Sequence, residues 1–217
     1  MGRPASLSRA SIVAAAALLV REQGVAALTA RRLGEALGCD PTAVYRHFAT
    51  MADLEREVGD RFLRAVDVRP RAAEGWREAV RRICVTLRRV QLRQPRLAEL
   101  ISAAPTRLAN EMRITEALLR ELRRGGCSES HAATAYHALI ELAVGSAAID
   151  APISLQSAAQ RRRLYGEWRR EYAELPVARF PASVAAAEHL YRGSADDRFE
   201  AALDLLLDGI EARCKIQ

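Results

Sequence analysis

Apolar residues in this chain recur three and four positions apart almost throughout, and no stretch of useful length alternates apolar with polar. That spacing is the signature of one-faced helices and argues against a sheet of half-buried strands. Gly and Pro punctuate the periodic segments, at Gly24, Gly38, Pro95, Pro105, Gly125, Pro152 and Pro176 among others, where helices stop or begin. Ala and Leu, both strong helix formers, dominate an apolar set that is poor in aromatics. The expected fold class is all-α.

The spacing predicts a first helix over residues 9–23, with Ser8 as N-cap and Gly24 as its stop. A second runs from after Thr29 to Gly38. A third, capped by Asp40 with Pro41 in its first position, reaches Phe48. A fourth, capped by Thr50, covers 51–66. The polar stretch 67–73, which holds Pro70, reads as a boundary. Longer helices are expected beyond it, over 74–94, 96–104, 106–124 and from Ser128 or Ser130 to about 149, with Pro152 breaking the chain. Then follow 157–175, a short helix near 182–191, and 196–213.

The most informative stretch is 27–54, ALTARRLGEALGCDPTAVYRHFATMADL. Two short helices joined at Leu37-Gly38-Cys39-Asp40-Pro41 give a helix-turn-helix geometry, with Gly38 permitting the sharp turn. The second of them is the candidate reading helix. Its first residues, Pro41, Thr42 and Ala43, are small, which lets backbone approach a major groove closely. Tyr45, Arg46 and His47 then offer a phenol, a guanidinium and an imidazole. The phenol and imidazole can donate to phosphate oxygens, and Arg reaches phosphate or guanine. Val44 and Phe48, one turn apart, are expected in the core of a three-helix head. The charge agrees with a nucleic-acid partner: the net balance is +6, and residues 1–50 hold six Arg against three acids. Lys215 is the single lysine, an Arg bias that a GC-rich coding genome also produces. By periodicity alone, an ordinary pair of short helices in a helical protein is the simpler reading of the segment.

The pattern LTARRLGEALGCDPTAVYRHF resembles the DNA-binding signature of the tetracycline-repressor (TetR) family. Leu28-Thr29, Leu33, the Leu37-Gly38 turn, and Val44, Tyr45, His47 and Phe48 carry the resemblance, which spans about residues 9–66. The ending FEAALDLLLDGIEA is similar to the last helix of members close to the tetracycline repressor itself. The resemblance implies a ligand-responsive transcriptional regulator, commonly a repressor, that binds double-stranded operator DNA and a small-molecule effector whose identity is unknown. It puts Thr29 and Arg31 at the start of a helix crossing the DNA backbone. Pro41, Thr42, Ala43 and Arg46 would face base edges, and Tyr45 and His47 would hold phosphates. One feature departs from the pattern: the family often carries a Lys just after the Tyr-x-His-Phe element, where this chain has Ala-Thr-Met-Ala-Asp. One short helix reads too little DNA for useful specificity, so a homodimer on palindromic half-sites is expected.

The division that follows is a helix-turn-helix head, residues 1–50, a connecting helix, 51–66, and a helical effector-binding and dimerisation domain, 67–217. In the last helix Phe199, Leu203, Leu206 and Ile210 form an apolar stripe, widened by Ala202, Leu205 and Leu207. The family builds its dimer as a four-helix bundle of two such helices per subunit. That makes Ala133, Ile140, Val144, Phe199, Leu203, Leu206 and Ile210 the candidate interface; burial within one subunit is the other reading. The resemblance also places an effector pocket among the central helices. Its candidates are Leu87, Gln91, Leu100, Met112, Leu119, Tyr136, His137 and Leu139, polar groups among apolar neighbours. Arg81, Arg82, Arg88, Arg89, Arg93 and Arg96 read as a solvated face.

No catalytic residue, metal site or cofactor is expected. His131 and His137 are six apart on different helix faces, and Glu141, one turn after His137, is more simply a surface or core neighbour than a second ligand. There is no Gly-rich phosphate loop and no nucleophilic triad pattern. Cys39, Cys84, Cys127 and Cys214 form no CxxC pair and are expected as reduced thiols. The opening residues lack a signal-peptide layout, and the apolar run 12–20 is too short to span a bilayer. A soluble cytoplasmic protein with no membrane partner is therefore expected. The alternative is a small-molecule-binding or protein-interaction helical module with weak or vestigial DNA binding, against which the Arg excess of the head stands.

Overall fold

The computed structural model describes residues 7–214, and every regular element among them is helical. The opening residues 1–6 and Lys215, on which some expectations fall, lie outside the described residues. Helix α1 (Arg9–Gln23) starts at a capping box in which Ser8 and Ser11 satisfy each other's orphan backbone N–H. Helix α2 (Ala30–Leu37) is capped by Thr29, whose hydroxyl accepts from the Arg32 N–H. A six-residue 3₁₀ helix, Pro41–Arg46, follows. Thr50 and Asp53 form the capping box of α3 (Met51–Leu63). Ile12, Val13, Ala16, Leu33, Val44, Phe48, Leu54 and Val58 are buried together and form the core of this head.

The linker 67–75 is clasped to the body by Arg82, which donates to the Asp67 carbonyl (2.9 Å) and to Glu74 (2.7 Å). That bond to Arg82 holds the Glu74 carboxyl below its usual range. Beyond the linker come α4 (Trp76–Arg93), α5 (Pro95–Ala103) and α6 (Ala109–Arg124). Then come α7 (Glu129–Ser154), α8 (Ala158–Ala173), α9 (Pro181–Ala186) and α10 (Ala195–Cys214). Helix α7 packs against α4, α5, α6 and α10 and forms the centre of the body. By length and composition it is apolar enough to cross a membrane, unlike the run 12–20.

Four expectations are corrected. Helix α7 does not break at Pro152 but carries it inside and ends at Ser154. A proline this close to a C-terminus removes a single N–H bond, with only two residues of helix beyond it. Residues 106–108 are not helical, and α6 starts only at Ala109. Cys127 and Cys214 are not free thiols but a disulfide, closed over a sequence separation of 87 because the α6–α7 turn lies beside the end of α10. Of the free pair, Cys84 is fully buried, which pushes its thiol up to about 12. Of the expected solvated arginine face, Arg89, Arg93 and Arg96 are exposed, but Arg81 and Arg82 are half-buried and Arg88 is buried. Arg77 and Arg81 pair with Asp204, and Arg77 also reaches Asp208. Arg88 is buried between Asp150 and Asp196. The acidic side of α10 is thus held against the basic side of α4.

Candidate nucleic-acid interface and ligand cavity

The turn between α2 and the 3₁₀ helix rests on two glycines. Gly38 ends α2 at φ 65°, in the left-handed region. At Gly34 a Cβ would come within 2.8 Å of the Cys39 carbonyl and 3.1 Å of the Pro41 backbone. Any larger residue would push the two helices apart, a contact that spacing alone did not reveal. Asp40 starts the second helix, accepting from the Thr42 N–H (2.7 Å) and the Thr42 hydroxyl (2.5 Å). These bonds, the hydroxyl's first, hold the Asp40 carboxyl below its usual range. The Thr42 hydroxyl has thereby spent its proton and offers outward only lone pairs.

The reading helix ends at Arg46, short of the expected Phe48, and its 3₁₀ winding puts residues three apart on one edge. Thr42 lines up with Tyr45, and Ala43 with Arg46. Pro41, Thr42, Tyr45 and Arg46 are exposed, Tyr45 at 49% of its surface, while Ala43 and His47 are half-buried. Val44 and Phe48 are buried as expected. Thr29 and Arg31 are exposed at the start of α2, where Arg31 holds an i,i+4 bond to Glu35 (3.1 Å). Arg9 locks the exit of the reading helix: it lies over the Phe48 ring at 4.2 Å, donates to the His47 carbonyl (2.7 Å) and pairs with Glu57. Its role was not legible in the sequence, because its partners lie 38 or more residues away.

A cavity of about 510 Å³ opens between α3, α4, α5, α6 and α7. Of the pocket candidates, Leu87, Tyr136 and His137 line it; Leu63, Ile114, Ile140 and Val144 add apolar wall, and Thr115, Glu111 and Glu141 polar groups. Tyr136 and Thr115 share a hydrogen bond of 2.9 Å. The other pocket candidates are not part of its wall. Met112 is half exposed on the outside of α6, and Leu139 is fully buried core. Leu100 and Leu119 are partly buried packing residues. Gln91 is buried, donating to the Leu87 carbonyl, and its own oxygen has no partner among the described residues.

The candidate dimer residues also divide. Phe199, Leu203 and Ile210 point into their own subunit's core, and Ile140 and Val144 face the cavity. Ala133 is exposed and Leu206 half-buried. The apolar side chains that α7 and α10 do present outward include Ile149 and Leu205, each 75% exposed; Leu205 lines a shallow groove with Ala138, Leu206 and Gly209.

Head and body are tied together at the cavity's edge. Asp60 of α3, only 6% exposed, accepts from the backbone N–H groups of Asn110 and Glu111 (3.0 Å each), the Asn110 amide (2.8 Å) and the Thr106 hydroxyl (3.3 Å). Helix α6 has no side-chain cap of its own, so Asp60 caps it from another helix. In return Arg113 of α6 donates to the carbonyls of Val66 (3.0 Å) and Leu63 (3.3 Å) at the end of α3. An anion at one helix N-terminus and a cation at the other's C-terminus both suit the helix dipoles. Gly59 lets this seat close, since a Cβ there would meet Ile101 at 3.2 Å. Arg96 of α5 adds a third tether to the Arg21 and Glu22 carbonyls of α1. Among the described residues no cluster of His, Cys, Asp and Glu is arranged to hold a metal.

Comparison with known proteins places these features. Residues 12–58 match the family model described as bacterial regulatory proteins of the tetR family, and residues 69–214 match the tetracyclin repressor-like C-terminal domain. The chain is 29% identical over 208 residues to the class C tetracycline repressor protein of Escherichia coli, covering 94% of this chain and 91% of that protein. Its fold is similar to that of the Streptomyces coelicolor TetR-family protein ActR in complex with actinorhodin, with a TM-score of 0.86, 26% identity, and 97% and 99% of the two chains covered. A TetR-type transcriptional regulator from the same organism matches with a TM-score of 0.79 and 30% identity over 95% of this chain and 98% of that one.

Proposed function

Because the chain belongs to the TetR family and is a ligand-responsive transcriptional regulator, we propose that it represses by binding a palindromic operator as a homodimer, which a small molecule releases. In this reading residues 1–50 bind DNA, 51–66 transmit, and 67–217 hold the effector and the dimer contact. It works by binding alone, without catalysis, in the cytoplasm.

At the operator, Pro41, Thr42, Ala43 and Arg46 meet base edges in the major groove. Thr42, with its proton given to Asp40, accepts from an exocyclic amino group of adenine or cytosine. Arg46 reaches guanine or phosphate, while Tyr45, His47, Thr29 and Arg31 hold the backbone, Arg31 by exchanging Glu35 for a phosphate. The dimer forms through the outward apolar residues of α7 and α10, Leu205, Leu206 and Ile149 among them. The effector is a largely apolar molecule with a few hydrogen-bonding groups, matched to the apolar wall and to Tyr136, Thr115 and His137. ActR's complex with actinorhodin supports an effector of this general kind.

The observation that carries the reading is the reciprocal clamp of Asp60 and Arg113. Leu63, one turn after Asp60, lines the cavity, and so do Ser102 to Pro105, which lead into the segment that Asp60 ties. A ligand that moves this wall moves α3, and with it the spacing of two reading heads. The test is a fluorescence-anisotropy titration of the full chain against the DNA flanking its own gene, with random DNA as control, over a salt series. Saturable, sequence-dependent binding is expected. With no basic residue in 49–53, its salt slope should be shallower by about 0.9 than that of a relative carrying a Lys there. Equal, weak binding to both DNAs would overturn the reading in favour of a helical ligand-binding module.

A further inference from the structure

A second and larger cavity, about 1060 Å³, shares no lining residue with the first. It lies between α8, the segment before α10, and the start of α10. Its wall is basic: Arg161, Arg162, Arg163, Arg169, Arg170 and Arg192 line it, against a single acid, Glu188. Some of these arginines are already engaged. Arg163 pairs with Glu167 (2.8 Å), Arg169 donates to the Tyr191 carbonyl (3.1 Å), and Arg161 donates to the Ser154 and Gln156 carbonyls. Arg162, Arg170 and Arg192 have no carboxylate in ion-pair range among the described residues. Clustered guanidiniums without counter-charges repel one another and favour an anion among them.

The second observation is Tyr165. It is 4% exposed, lines both this cavity and a smaller one that adjoins it around Arg88, and its hydroxyl has no hydrogen-bond partner among the described residues. Its ring is fixed on two sides, by the stacked Tyr191 ring at 6.0 Å and by the Arg198 guanidinium at 4.4 Å. A buried hydroxyl is seldom left unpaired, because taking it out of water without a replacement bond costs free energy. Here an unpartnered donor belongs to a rigidly held residue that lines an arginine-rich cavity. Arg161 also lines both cavities, so donors are present where the two meet.

We propose that this cavity is a second ligand site, separate from the effector cavity, that takes a small multiply charged anion bearing phosphate or carboxylate groups. The Tyr165 hydroxyl and Arg161 donate to its inner oxygens, and Arg162, Arg170 and Arg192 balance its outer charge. Guanidinium forks fit both kinds of oxyanion, so the two sources are separated by experiment. The test is calorimetric titration of the full chain with pyrophosphate and, separately, with citrate, at a fixed ionic strength of about 0.15 M. Three proteins are compared: the parent, Tyr165→Phe, and the double variant Arg162→Gln/Arg170→Gln. Phe keeps the ring packing, and both arginines are exposed, so neither variant disturbs the core.

The expected result is saturable binding of one anion per chain, weakened roughly tenfold by Tyr165→Phe and roughly a hundredfold by the double variant. Whichever anion binds tighter identifies the head group. Non-saturable heats, or binding that both variants leave unchanged, overturn the proposal. So does loss of operator affinity in the anion-free double variant, which would make these arginines DNA contacts. Dissociation of the double variant into monomers by light scattering would mean that a second chain fills the cavity, and overturns it equally.

Discussion

Replacing Asp60 by Ala removes the cap that α3 supplies to α6, and the structure allows the cost to be worked out. The carboxylate accepts two backbone N–H bonds at 3.0 Å, one side-chain amide at 2.8 Å and a hydroxyl at 3.3 Å, all buried or part-buried. Loss of an N-cap costs about 1 kcal/mol. A charge-assisted bond to the Asn110 amide contributes about 1.5–3 kcal/mol. The favourable charge at the helix N-terminus adds up to about 1 kcal/mol, partly counted already in the cap. Asp60→Ala should therefore destabilise the protein by about 3–4 kcal/mol, and Asp60→Asn, which keeps one acceptor, by about half of that. The assay is equilibrium urea unfolding at a fixed protein concentration, since the stability of the proposed dimer would depend on it. Arg113→Gln completes a double-mutant cycle. The two side chains clamp the same pair of helices, so their costs should sum to less when combined, with a coupling of at least about 0.5 kcal/mol. An Asp60→Ala protein within about 0.5 kcal/mol of the parent would refute the clamp as a structural tie. A destabilised variant that still releases DNA with the parent's full response to effector would refute it as the transmitter.

Three further outcomes are expected. Tyr45→Ala removes the exposed phenol proposed to donate to phosphate from each head of the proposed dimer and should weaken operator binding by about 3 kcal/mol or more with the dimer intact; unchanged anisotropy curves would count against the assigned head. Leu205→Arg, which cannot disturb the subunit core because the side chain is 75% exposed, removes an apolar contact worth about 1.5–3 kcal/mol from each partner. It should give monomers by light scattering at concentrations where the parent is dimeric, and an unchanged mass would show the interface to lie elsewhere. Reducing the Cys127–Cys214 bond frees a loop with a sequence separation of 87 and should lower stability by up to about 4.6 kcal/mol. Melting curves that coincide with and without dithiothreitol would show that the pair does not cross-link the unfolded chain.

Local structure in this protein was legible wherever the partners lie within a few residues. Ser8, Thr29, Asp40, Thr50, Ser128 and Ser157 each cap the helix that follows, through an N–H two or three positions on. The reading head is equally local: its turn, its small leading residues, and the inward Val44 and Phe48 all follow from contacts inside one 28-residue stretch. Periodicity also established that α7 and α10 carry apolar stripes, but it could not say which neighbour each stripe meets. Ile140 and Val144 look like Ala133 on a helical wheel, yet they turn to the cavity, while Phe199, Leu203 and Ile210 close the core and leave Leu205 outside. The rotation of a helix about its axis is set by the helices packed around it. The same holds for every long-range tie: Asp60 to Asn110, Arg113 to Val66, Arg88 to Asp150 and Asp196, and Cys127 to Cys214. Each joins residues 47 or more positions apart. The sequence by itself determined the helices, their caps and the reading head, because those depend on neighbours along the chain. Only the tertiary structure decided the cavity, the clamp and the outward face, because those depend on which helix surfaces bury each other.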